Sequence, residues 1–135
     1  MPDATAINRL AEAARAARAN AYAPYSKFQV GAAVLLDNGT TVPGANVENA
    51  SYGLTCCAER VAIFAARTQH PSASILALAV SAGADSFVHE TENTRMPCGA
   101  CRQVMMEFMG ADAPVWIDGI GARKLSDLLP TPFKL

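Results

Sequence analysis

The chain has 135 residues, 51% hydrophobic and 17% charged, with 11 Lys and Arg against 12 Asp and Glu. That length predicts a single domain over residues 1–135, and that apolar content excludes a disordered chain. A net charge of −1 gives no basic field for a nucleic-acid polymer, and no apolar run reaches the ~20 residues of a membrane span.

Residues 4–20 place Ile7, Leu10 and Ala14 at helical spacing, with Arg9, Glu12 and Arg15 on the other side, so an amphipathic helix is expected. Ala23-Pro24-Tyr25-Ser26 breaks it. A strand over 28–36, a turn at Asp37-Asn38-Gly39 and a returning strand over 40–46 form a predicted hairpin, in which Pro43 suits an edge or a bulge. Residues 57–68 read as a helix. Residues 75–81 form an apolar strand of the kind covered on both faces. A long polar loop is expected over 83–96. Pro97 then opens a helix over 98–109 that Gly110 would cap. A strand over 114–118 and at most a short helix over 125–129 complete the chain. Helices alternating with strands predict an α/β fold, a three-layer α/β/α sandwich around a mixed, mostly buried sheet.

Two motifs concentrate the chemistry. Cys98-Gly99-Ala100-Cys101 at a helix start puts two sulfurs on one face, where the helix N-terminus favours thiolate. Alone, this pair suits a redox dithiol as well as a metal site. Cys57-Ala58-Glu59-Arg60 adds a third cysteine at another helix start, beside a carboxylate. Three protein ligands and an open fourth position are the arrangement of a catalytic zinc, which acidifies the water in that position. Glu59 is then placed to move protons as general acid and base. Cys-x-Glu with Pro-Cys-x-x-Cys is the zinc deaminase signature in its all-cysteine variant. Three thiolates leave the metal electron-rich. Arg60, three residues beyond Cys57, is therefore expected to donate hydrogen bonds to sulfur, with Gln103 orienting its guanidinium.

The remaining candidates read as packing or surface. Cys56, beside a ligand position, is expected to be a small core residue, His70 and His89 solvated loop residues, and Met105, Met106 and Met109 helix packing. With four cysteines and no signal-peptide core in the N-terminal stretch, a reducing, cytoplasmic setting is expected. The charge content, below the ~25% of an ordinary domain, hints at surface covered in an assembly.

Further motifs accompany these: Pro24-Tyr25-Ser26-Lys27-Phe28, Val30-Gly31-Ala32-Ala33, Asn46-Val47-Glu48-Asn49-Ala50-Ser51-Tyr52, Pro97 to Gln103, and Asp127-Leu128-Leu129-Pro130. With them the chain resembles the cytidine deaminases of the small homotetrameric type, from about residue 22 to 133. The resemblance implies one zinc ion per subunit on Cys57, Cys98 and Cys101, with Glu59 as the proton shuttle. It further implies Asn46 and Glu48 on the ribose hydroxyls, Phe28 stacked on the pyrimidine and the Ala58 backbone against the base. Tyr52 and Phe133 would reach neighbouring sites in a homotetramer. The residue types agree: an amide and a carboxylate two apart on extended chain suit a sugar diol, and an aromatic at a strand entrance offers a plane. The implied activity is hydrolytic deamination of cytidine and 2′-deoxycytidine in pyrimidine salvage. A modified cytosine nucleoside or a nucleoside antibiotic such as blasticidin S is the alternative substrate. Polynucleotide editing and a non-enzymatic zinc or redox protein are disfavoured. The 82–96 segment is longer than in compact members of the family, so 88–93 are expected to reshape the mouth of the site.

Overall fold

The computed structural model describes residues 2–83 and 92–135. Most of the 88–93 stretch, His89 included, lies outside the described residues. Asp3 caps helix α1 (Ala4–Ala17) by accepting from the Ala6 amide at 2.8 Å, one of the amides a helix start leaves without a partner. The last turn of the expected 4–20 helix tightens into a 3-10 turn, Arg18–Asn20. Strands β1 (Gln29–Leu36) and β2 (Thr41–Ala45) are the expected antiparallel hairpin. Helix α2 (Ala58–Gln69) leads into β3 (Ile75–Gly83), and a four-residue helix, α3 (Glu92–Arg95), precedes α4 (Gly99–Phe108). Strands β4 (Pro114–Ile117) and β5 (Gly121–Lys124) and a short helix, α5 (Leu125–Leu128), follow.

The sheet order is β2-β1-β3-β4-β5. Only β3 and β4 run parallel, and α4 lies in their crossover, as a parallel pair requires; the sheet is therefore mixed. β2 is an edge, so Pro43 is accommodated without loss of an inner ladder bond. Three expectations change. The 83–96 segment is not all loop, since residues 92–95 form α3. Gly110 is not the helix cap: α4 stops at Phe108, and Met109 turns extended (φ −128°, ψ 156°) to pair with Ile75. β5 was not expected, because Gly-Ala-Arg-Lys is almost wholly exposed and shows no alternation; pairing with β4 makes it a strand.

Three layers result. On one face Leu10 and Ala14 of α1 pack against Ala33, Ala77 and Ala79. On the other, residues of α2, α4 and α5 cover Ala32, Val34, Leu78, Val80, Val115 and Ile117. Small residues let the helices lie on the sheet backbone itself. A Cβ at Gly31 would stand 2.0 Å from the Ala14 carbonyl oxygen, and one at Gly44 would stand 2.4 Å from the Ala62 nitrogen. The second approach matters most for function, since it fixes α2, and hence its cysteine-bearing start, against β2. From α1, Arg15 grips Asp118, the residue after β4, with both prongs of its guanidinium (2.9–3.1 Å). Buried Ser81 donates to the same carboxylate at 2.8 Å. The hydrogen bonds from Arg15 hold the Asp118 carboxyl below its ordinary range.

Candidate active site

Cys57 and Cys98 are the N-cap residues of α2 and α4, and Cys101 lies in the first turn of α4. The Cys98 sulfur acts as the cap, accepting from the Cys101 amide at 3.5 Å. The three Sγ atoms lie within 4.8 Å of one another, with Cys57–Cys98 at 3.9 Å and Cys98–Cys101 at 3.3 Å. Two thiolates about 2.3 Å from one tetrahedral zinc stand roughly 3.8 Å apart, so this donor set fits that ion. Among the described residues no other group of three His, Cys, Asp or Glu side chains converges in this way.

Arg60 donates through Nη2 to the Cys57 sulfur at 3.3 Å, as its spacing predicts. A hydrogen bond from Cys101, helped by Arg60, pulls the Cys57 thiol down to about 5 against the cost of burial. The same hydrogen bond, with burial, pushes Cys101 up. Glu59 is only 4% exposed, and burial pushes its carboxyl up to about 7. Such a group can both take and give a proton near neutrality. The Arg60 Nε is buried with no hydrogen-bond partner among the described residues.

Cys57 and Cys98 line a cavity of about 240 Å³. Ala58 and Glu59 line it beside them, together with Phe28, Val30 and Asn46 from the hairpin and its flanks and Thr94, Arg95 and Met96 from the segment before α4. Cys101 is fully buried. Asn46 braces its neighbours in this lining: Oδ1 accepts from the Val30 amide at 2.9 Å, and Nδ2 donates to the Phe28 carbonyl at 2.8 Å. One lone pair and one N–H of that amide remain for another partner.

Glu48 faces a second cavity of about 350 Å³, lined with it by Tyr25, Ser26, Asn49, Tyr52 and Thr55. Thr55 lines both cavities. The Glu48 carboxylate accepts from the amides of Tyr25 (3.0 Å) and Ser26 (3.1 Å) and from the Ser26 hydroxyl. Burial opposes its charge, but these hydrogen bonds prevail and hold the carboxyl below its usual range. Tyr52, 78% exposed, meets Tyr25 edge-on with ring centroids 6.5 Å apart. Phe133 is 71% exposed. Gln103, expected beside Arg60, instead donates to the Phe133 carbonyl at 2.9 Å and ties the C-terminal segment to α4. Cys56 pairs through its backbone with Val47 and stands outside the sulfur cluster.

Thr55, Ser26 and residues 94–96 also line these cavities without standing out in the sequence as site residues. The last had a usable signal, since those residues run directly into Pro97-Cys98. Thr55 had none, because its place depends on how the 46–56 segment folds back.

The fold and donor set define a class: an α/β enzyme whose site can hold a metal ion on three thiols beside a buried acid. A family model for the cytidine and deoxycytidylate deaminase zinc-binding region matches residues 4–116. The cytidine deaminase of Halalkalibacterium halodurans is 46% identical over 121 residues, covering 87% of this chain and 86% of the relative. The solved cytidine deaminase of Mycobacterium tuberculosis superposes with a TM-score of 0.81 at 44% identity, covering 96% of this chain and 98% of that one. That of Burkholderia pseudomallei gives 0.80 at 44% identity, covering 93% and 98%. The chain belongs to the cytidine deaminase family, and it is an enzyme of that kind. No helix among the described residues is long and apolar enough to cross a membrane.

Proposed function

We propose that the protein is a zinc-dependent deaminase that hydrolyses cytidine and 2′-deoxycytidine to uridine and 2′-deoxyuridine plus ammonia, serving pyrimidine salvage in the cytoplasm. The observation that carries this reading is the convergence of Cys57, Cys98 and Cys101, with Cys57, Cys98 and buried Glu59 lining a cavity that Phe28 also lines. Zinc, when bound by the three thiolates, supplies Lewis acidity and an acidified water.

The chain's own residues do the rest. Glu59 takes one proton from the water that attacks C4 and gives it to the ring nitrogen, then takes the proton of the hydroxyl left on C4 and gives it to the departing amine, so the C4=O bond forms as the C4–N bond breaks with release of ammonia. Phe28 packs on the pyrimidine face, and the Ala58 backbone contacts the base. Asn46 offers its remaining N–H and lone pair to a ribose hydroxyl, with Glu48 on the other. Arg60 and the positive ends of α2 and α4 draw charge from the sulfurs, which keeps a metal with three thiolate ligands acidic enough to act.

The reading extends to assembly. The chain acts as one domain with one zinc ion, in a homotetramer in which exposed Tyr52 and Phe133 reach neighbouring sites; neither a nucleic-acid polymer nor a membrane is a partner. Ammonia release by the zinc-loaded protein tests the activity. Cytidine and 2′-deoxycytidine should be turned over, and a cytosine-containing oligonucleotide should not. Turnover of blasticidin S without cytidine would move the assignment to a nucleoside antibiotic. No turnover of any monomeric nucleoside would remove the reading altogether.

A further inference from the structure

We propose that Ser26 is a positioning residue for the pyrimidine subsite, coupling the Glu48 carboxylate to the backbone of Phe28. Phe28 precedes β1 and lies in no regular element. The residue before it, Lys27, has φ 61°, a left-handed conformation unfavourable for a side chain with a Cβ. Such a conformation persists where the surroundings over-determine it.

The surroundings here are a short relay. Glu48 accepts from the Tyr25 amide, the Ser26 amide and the Ser26 hydroxyl. The Ser26 oxygen in turn accepts from the Phe28 amide at 3.0 Å. Direction follows from chemistry. An ionised carboxylate only accepts, so the serine proton goes to Glu48 and a serine lone pair is left for the Phe28 N–H. The Phe28 carbonyl is held separately by Asn46 at 2.8 Å. Asn46 and Glu48, two positions apart, therefore clamp the two sides of one peptide segment, Asn46 directly and Glu48 through Ser26. Residues assigned to the sugar also set the plane on which the base would stack.

This inference rests on the reading of the cavity as a cytidine site, and its test separates the two. A double-mutant cycle with Ser26→Ala, Ser26→Thr, Glu48→Ala and Ser26→Ala/Glu48→Ala is assayed with cytidine, with thermal melting as the folding control. Stacking acts on bound substrate and transition state alike, so loss of position should appear in KM rather than kcat. Ser26→Ala should raise KM about tenfold, the weight of one lost hydrogen bond to a charged group, with kcat within about threefold. Ser26→Thr, which keeps the hydroxyl, should recover most of the loss. In the Glu48→Ala background the same Ser26→Ala change should add less than about twofold. An unchanged KM in Ser26→Ala, or an equal tenfold effect in both backgrounds, would overturn the coupling. If Ser26→Ala does not fold, Ser26→Cys, which keeps the shape and weakens both hydrogen bonds, takes its place. Hydrogen exchange at the Phe28 amide gives a readout independent of turnover. It should accelerate in both Ser26→Ala and Glu48→Ala, and an unchanged rate would overturn the proposal even if cytidine were not the substrate.

Discussion

The two groups of residues that line the cavity, the cysteine-bearing one and the aromatic one, are built on different principles. Among the cysteines and their neighbours, Cys57, Glu59 and Arg60 occupy the start of one helix, and Cys98 and Cys101 the start of another. Helical geometry fixes each set over three or four residues, and the packing of α2 and α4 brings the sets together. In the aromatic group Phe28 belongs to no element. Asn46, 18 residues away in sequence, holds its carbonyl, and Glu48, 22 residues from Ser26, holds its turn. A group built on helix starts should fail abruptly when one member is lost. A group built on long-range hydrogen bonds to loop backbone should fail by degrees, in binding before chemistry.

Variants should separate the two behaviours. Glu59→Gln is expected to have the largest effect, lowering kcat by about a thousandfold while stoichiometric zinc remains, since general acid–base transfer contributes roughly 10²–10⁴; kcat and metal analysis on the same sample read both. Arg60→Ala should keep its metal, lose roughly tenfold in kcat and shift the pH profile, because charge is no longer drawn from Cys57. Unchanged kinetics would remove Arg60 from the machinery at the sulfurs. Phe28→Ala should raise KM by about tenfold, the weight of one aromatic–base stack, with a smaller change in kcat. A kcat effect as large as that of Glu59→Gln would erase the distinction between the two groups.

Two further changes probe the scaffold. At Gly44 a Cβ would meet Ala62 backbone at 2.4 Å and the Ala58 carbonyl at 2.7 Å. Gly44→Ala should therefore destabilise the fold by about 1–3 kcal/mol, and it should lower zinc occupancy more than Gly31→Ala, which presses on α1 instead. Asp118→Asn should have the smallest effect. Arg15 and Ser81 depress the folded-state Asp118 pKa, so their stabilisation is fully present above the unfolded value of about 3.9. It is lost as pH falls through the lower folded value. The difference in Tm between wild type and Asp118→Asn should be constant above about pH 5 and close below about pH 4, with kcat and KM unchanged at neutral pH.

The same contrast explains what the sequence made legible. The Cys57–Arg60 and Cys98–Cys101 pairs were readable because i, i+3 spacing at a helix start translates directly into proximity, and Glu59 from its place in the Cys-x-Glu motif. The β1–β2 hairpin was readable from Asp37-Asn38-Gly39, where Gly39 adopts φ 85°. β5 was not, because an exposed edge strand needs no apolar alternation and owes its form to its neighbour. Gly110 misled because a glycine after a helix signals a cap only if nothing else claims the chain, and Ile75 claims Met109. Gln103 was placed beside Arg60 by sequence nearness to the cysteines, whereas the fold brings the C-terminal segment within its reach. Ser26 stayed hidden because its partner Glu48, 22 residues away, is brought to it by tertiary folding.

Removal and return of the metal tests the central claim most directly. The protein is stripped with a chelator, assayed with cytidine, then titrated with zinc while ammonia release and bound metal are followed together. The stripped protein should be inactive, and activity should return in proportion to bound zinc, with its endpoint at one ion per chain. Full turnover by the stripped protein, or one bound zinc per chain with no ammonia released from cytidine, would contradict the account.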